Sequence, residues 1–66
     1  MKVYELNVFA DGEPTPENHL YPSLKSAKWH ADETSKLECV SEIWLRTWVL
    51  CKDVGIYKIE SNERIF

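Results

Sequence analysis

The stretch Val40 to Lys52 reads V-S-E-I-W-L-R-T-W-V-L-C-K. Side chains alternate along a strand, so Ile43, Leu45, Thr47, Val49 and Cys51 share one face and Trp44, Arg46, Trp48 and Leu50 share the other. A strand buried on one side alternates apolar with polar residues. This one is bulky and apolar on both sides and asks for cover on both. A chain of 66 residues has little to offer, because a domain of this size buries only about 60% of the surface it exposes when unfolded. The shortage points to a partner, either a second copy or another protein.

On the C-terminal side, Asp53-Val54-Gly55 reads as a hairpin turn, with Gly55 free to take positive φ. Ile56 to Glu60 reads as a strand, Ser61-Asn62-Glu63 as a second tight turn, and Arg64 to Phe66 as a short last strand. On the N-terminal side, Lys2 to Ala10 is a strand with Tyr4, Leu6, Val8 and Ala10 on one face and Val3, Glu5, Asn7 and Phe9 on the other. Asp11-Gly12 ends it, and Pro14 and Pro16 keep the following segment irregular. Asp11 to Pro22 is long for a connection in so small a domain, and such loops either function or pack as cover. Leu20 and Tyr21 suggest that its second half is pinned to the core.

Ser23, preceded by Pro22, is a helix N-cap candidate for S-L-K-S-A-K-W-H-A-D-E-T-S-K. Leu24, Ala27, Ala31 and Thr34 fall in one stripe about 80° wide, small enough in side chain to lie close on a sheet. Trp29 points roughly opposite, beside Lys25, Glu33 and Lys36. Either the long loop folds over it, or it is an exposed contact residue of the kind that dominates binding hot spots. The order is β-α-β-β-β, a single α+β domain over residues 1–66 with one helix on a mainly antiparallel sheet of three or four strands. The aliphatic face, Ile43, Leu45, Val49 and Cys51, suits the Ala-lined helix and leaves Trp44, Arg46 and Trp48 open. The reverse assignment would also leave bulky apolar surface uncovered.

Composition excludes several classes. Hydrophobic content of 44% with three Trp is that of a globular chain. The net charge of −3 resides in Asp11 to Glu38, where six acids meet three lysines; Val40 to Phe66 carries four of each sign. Nucleic-acid binding needs a basic stripe, and none is visible. No apolar run approaches the roughly 20 residues that span a bilayer, and Glu5 and Asn7 interrupt the apolar core a signal peptide would need. The expectation is a soluble, cytoplasmic protein without membrane contact. Cys39 and Cys51 are too far apart for a C-x-x-C motif and read as free buried thiols.

His19, His30, Cys39 and Cys51 are scattered, whereas structural zinc sites bring ligands in close pairs. No Cys–His nucleophile motif is present, and a chain this small has little room for a substrate pocket of a few hundred cubic ångströms. The expectation is therefore a protein without catalysis, metal or cofactor. Trp44, Arg46 and Trp48, projecting from one face at two-residue steps, are the strongest local signal. Trp and Arg are the richest residue types in interface hot spots, and Arg46 can stack on either ring. The face is a surface for a partner or a second copy, or is covered by the loop or by Ile65 and Phe66. Stacking of single-stranded bases is disfavoured by the neutral strands. A second surface is the acidic loop of Asp11, Glu13 and Glu17, able to meet a basic groove or simply solvated.

A first strand, an S-L-x-x-A helix (Ser23, Leu24, Ala27, then Trp29 and Ala31) and a closing β meander within 66 residues resemble small bacteriophage proteins. These are the host-takeover inhibitors of bacterial RNA polymerase and the anti-CRISPR proteins of β-α-β-β-β form. The resemblance implies a non-enzymatic inhibitor, in the cytoplasm of a bacterial host, that binds a host protein complex and blocks it. A small structural or regulatory homodimer is the alternative, and a single-stranded nucleic-acid binder a third.

Overall fold

The computed structural model describes residues 1–16 and 19–66. Its elements are β1 (Lys2–Ala10), β2 (Glu13–Pro14), β3 (His19–Tyr21), α1 (Leu24–Ser35), β4 (Val40–Cys51) and β5 (Ile56–Arg64). The strands form one antiparallel sheet in the order β2-β1-β4-β5, with β3 also on β1. The doubly apolar strand β4 is central, flanked along its length by β1 and β5. This is the expected α+β architecture, one helix on an antiparallel sheet.

Turn chemistry sets the local connections. Asp11 and Gly12 both have positive φ, 54° and 82°, the requirement of a two-residue type I′ hairpin. They fold the chain back so that Ala10 pairs with Glu13 and Phe9 with Pro14. The pair therefore reverses the strand as well as ending it. Beside this turn Ser41 is an extra residue in β4, between Val40 opposite Ala10 and Glu42 opposite Phe9. Its hydroxyl donates to the Phe9 carbonyl at 3.1 Å and accepts from the Gly12 N–H at 3.0 Å. At the far end Gly55, at φ 68°, closes the β4–β5 turn as expected, its N–H donating to the Cys51 carbonyl at 2.8 Å.

The expected second turn at Ser61-Asn62-Glu63 does not form. β5 runs unbroken through these residues, and the irregularity is a bulge in which Ile59 faces Trp48, Ser61 faces Thr47, and Glu60 is the extra residue. All nine residues of β5 are exposed, so polar side chains cost nothing in this edge strand, and a turn-like composition there is no evidence of a turn. Beyond it Ile65 donates to the Ile43 carbonyl at 2.9 Å, and Phe66 accepts from the Ile43 N–H at 3.1 Å.

The helix begins as the sequence indicates, with the Ser23 hydroxyl accepting from the Ser26 N–H at 3.1 Å. Ala27 and Ala31 are buried on the face bearing Leu6, Ile43 and Leu45, with Tyr4, Val8, Tyr21 and Val40 packed around them. Two expected cover residues behave differently. Leu24 remains exposed, and of the loop pair only Tyr21 packs on the core while Leu20 points outward. Both cysteines are free, but neither is buried: Cys39 is exposed and Cys51 half-buried. The helix covers one end of its face only. Twelve helical residues reach about 18 Å at 1.5 Å per residue, whereas twelve strand residues reach about 40 Å at 3.3 Å per residue. Val49 and Cys51, expected beneath the helix, are consequently half-buried beyond its end, and the molecule is elongated, 43 × 22 × 17 Å.

With so few core residues, each one matters. Ile43→Ala should cost about 2–5 kcal/mol through the cavity it leaves, and Ala27→Leu about 1–3 kcal/mol by forcing the helix off the sheet. Val49→Ala, outside the helix footprint, should cost clearly less than Ile43→Ala. Chemical denaturation of the three variants tests the order.

Burial raises the Tyr21 phenol above its ordinary value near 10. The folded state then holds this proton at pH values where the unfolded chain has released it, so stability is full below about pH 10 and falls as pH rises through the folded value. Lys2, raised by its hydrogen bond to Glu60, and Lys36, raised by that to Glu33, titrate in the same direction. Tyr21→Phe should make the alkaline loss of stability shallower, as read by denaturation midpoints between pH 8 and pH 11 (an estimated window about the ordinary tyrosine value). An unchanged alkaline slope would remove Tyr21 from this account.

Candidate functional site

The register of the sheet decides which side chains share the face away from the helix. Val3 lies opposite Trp48, Glu5 opposite Arg46, and Asn7 opposite Trp44. On the other side of β4, Trp48 lies opposite Ile59, Leu50 opposite Tyr57, and Arg46 opposite Asn62. Leu20 joins the face through its pairing with Glu5. The expected row Trp44, Arg46, Trp48 thus stands at the centre of this surface, half-buried by its neighbours on both sides.

Glu5 organises the row. It is only 8% exposed, and its Oε1 accepts from the Trp48 indole Nε1 at 3.0 Å and from Arg46 Nη1 at 3.3 Å. The Arg46 guanidinium also lies 5.9 Å from the centre of the Trp48 ring, at the outer limit of cation–π contact. Glu42 plays the matching role at the other end, accepting from the Trp44 indole at 2.8 Å and lying 3.7 Å from Arg64 Nη1. Both indole N–H groups of the row are therefore held by a carboxylate and each carboxylate is shared with an arginine, which fixes the ring positions.

Two clefts open on this face. One, of about 220 Å³, lies among Asn7, Phe9, Pro14, Trp44, Arg46 and Asn62. The other, of about 440 Å³, is predominantly apolar and is formed by Val3, Leu20, Trp48 and Tyr57 beside Glu5. The tryptophans are thus partly flanked by the loop strands, at Pro14 and Leu20, while Ile65 and Phe66 lie across the sheet beside Lys28 and Ala31 of the helix. The C-terminal residues do not cover the tryptophan face.

The remaining candidates lie apart from it. Trp29 is 60% exposed on the outer side of α1, across the sheet from Trp44 and Trp48, so no single flat surface holds all three. It meets His30 edge-on at 4.9 Å, and His30 stacks on Tyr21 at 4.8 Å; the loop reaches this cluster without covering Trp29. Asp11 and Glu13 are exposed at the β1–β2 turn, Glu13 being in register with Ala10, whose neighbours face the helix. Glu17 lies outside the described residues. Among the described residues no group of three or more His, Cys, Asp or Glu side chains is placed to hold a metal ion, and no helix is long and apolar enough to cross a membrane.

The sequence singled out the Trp-Arg-Trp row but not Glu5, Asn7 or Glu42. Glu5 and Asn7 read as the polar interruptions of an apolar strand. The signal that would have found Glu5 is charge complementarity, since sliding the first strand against β4 until Tyr4, Leu6 and Val8 meet Thr47, Leu45 and Ile43 brings Glu5 opposite Arg46. Compared with known proteins, the chain matches no family model, no curated protein and no solved structure.

Removing the Glu5 carboxylate strands two donors at once. Glu5→Ala should cost about 1–3 kcal/mol, the penalty of unsatisfied buried polar groups, and Glu5→Gln, which keeps an acceptor oxygen, should cost less. Denaturation followed by tryptophan fluorescence measures both; equal losses would mean that the site is held by packing alone.

Proposed function

We propose that the chain is a non-enzymatic protein-binding module that docks through the sheet face carrying Trp44, Arg46 and Trp48 and acts by occupying its partner's surface. The observation that carries this reading is the pre-ordered Trp-Arg-Trp row, half-buried on the sheet face opposite the helix and only partly flanked by Pro14 and Leu20 among the described residues. Around it Leu20, Tyr57 and Ile59 are 63%, 42% and 52% exposed, an apolar rim about ordered aromatic anchors, which is the make-up of hot-spot interfaces. Fixed side chains lose little freedom on binding. Trp29 and the acidic turn lie elsewhere and are not part of this surface.

The bacteriophage-inhibitor reading adds that the partner is a host complex, RNA polymerase or a CRISPR effector, blocked sterically in a bacterial cytoplasm. Its support is the architecture of one helix on a small antiparallel sheet, and fold-level likeness is a weak warrant for function. The homodimer reading packs the sheet faces of two copies on each other, and the exposed nine-residue edge strand β5 offers a second route to self-association by strand pairing. The bulge at Glu60 and the charges of Lys58, Glu60 and Arg64 oppose such pairing, because bulges and charged side chains are how natural edges avoid it. Edge pairing is therefore disfavoured, and a face-to-face dimer differs from docking on a foreign partner in its solution mass.

Light scattering across a concentration series, followed by transcription and target-cleavage assays with purified polymerase and CRISPR effector, separates these readings. A monomer that inhibits one of the two assays, with inhibition lost in the Trp44→Ala/Trp48→Ala double variant and retained in Trp29→Ala, is the expected result. The double variant should keep its folded circular dichroism spectrum. Loss of that spectrum would make the rings core residues, and a dimer dissociated by the same double variant would replace the inhibitor with the self-association reading.

A further inference from the structure

Two buried donors on this face have no acceptor among the described residues: Asn7 Nδ2 and Arg46 Nε. Buried donors without acceptors are uncommon, and each calls for an explanation such as an absent ligand. They are not scattered. Asn7 lies opposite Trp44, one step along β1 from the Glu5–Arg46 pair, and both side chains border the same cleft of about 220 Å³. The chemistry around it is one-sided. Its lining holds one cation, Arg46, and no acid, while Glu5 takes the Nη1 end of the guanidinium and leaves Nε without an acceptor among the described residues.

We infer that this cleft is a carboxylate-receiving subsite, taking an Asp or Glu side chain of the protein that docks on the face. This inference rests on the face-docking reading and names the chemistry that the partner brings. An amide N–H and a guanidinium N–H together match the two oxygens of a planar carboxylate. A single arginine already shared with Glu5 suits a monoanion better than a phosphate, whose second charge would find no second cation. Phe9, Pro14 and Trp44 form the apolar walls that exclude water and strengthen the pairing. Both donor atoms are buried, so a carboxylate reaches them only with a side-chain adjustment of the size common at interfaces. The neighbouring apolar cleft beside Trp48 lies two strand residues from Arg46 and four from the level of Asn7, about 7–13 Å at 3.3 Å per residue. The partner therefore presents an acidic and a large apolar side chain at about that separation.

The test is a titration of the isotopically labelled full chain with N-acetyl-glutamate N-methylamide, with the neutral glutamine analogue as control. Proton–nitrogen spectra report directly on the Arg46 Nε–H and the Asn7 side-chain amide. Saturable shifts of both signals with the glutamate probe, at least about tenfold weaker with the glutamine probe and absent at Arg64, are expected from charge-assisted pairing. Arg46→Lys, which loses the planar fork, should abolish the response. Asn7→Asp, which places a carboxylate of the chain's own in the cleft, should abolish it too, and decides the matter if Arg46→Lys does not fold. Equal shifts with both probes, no shift with either, or an unchanged response in Asn7→Asp overturns the subsite. Should inhibition by the whole face still depend on Trp44 and Trp48, the subsite alone falls; should that dependence fail as well, the face-docking reading falls with it.

Discussion

A single mismatch of length governs this molecule. A helix rises less than half as far per residue as a strand, and here both elements have twelve residues. One helix therefore shields less than half of one face of the strand it packs on. The buried core comes down to Leu6, Ala27, Ala31, Ile43 and Leu45, all within the helix footprint. What extends past it, the distal β4–β5 hairpin and the entire opposite face, has to be stabilised by other means.

On the opposite face those means are electrostatic and aromatic. Glu5 and Glu42 each fasten one indole and pair with one arginine. An exposed ion pair contributes little, but Glu5 is buried by the very groups it binds, so its contribution approaches that of a buried network, in which loss of one member leaves the others unpaired. The arrangement satisfies the heads of the tryptophans while leaving ring surface available. That combination is fixed polar ends with free apolar flanks, and it sets this face apart from the aliphatic core beneath the helix.

Much of this architecture is legible in the amino-acid sequence, and the reasons are local. The Ser23 cap, the Ala27/Ala31 stripe, the turn at Gly55 and the two-sided character of Val40 to Cys51 each depend on residues near one another in the chain. The Ser61-Asn62-Glu63 segment was misleading because composition reports solvent exposure, and an edge strand is as exposed as a turn. The Asp11-Gly12 hairpin was read only as a stop, since nothing in the following prolines signals that the chain returns along the strand it has left. Of the site, the Trp44/Arg46/Trp48 row follows from alternation within one strand. Glu5 and Asn7 belong to it through cross-strand register, which no local pattern encodes.

The sheet order also carries a kinetic consequence. β4 has a long strand on each side, yet one neighbour follows it directly and the other precedes it by the whole loop and helix; Glu5 and Trp48, bonded in the folded state, are 43 residues apart. The β4–β5 hairpin closes a short loop and forms on the microsecond scale of isolated hairpins. The β1–β4 ladder must first meet the entropy of closing a much longer one. Chains dominated by such distant pairings fold slowly, and while β1 is away the tryptophan strand stands as an unprotected edge. Glu5 and Asn7 belong to that distant strand, so a chain in which β1 has not yet docked displays the Trp48 ring without the carboxylate that orients it.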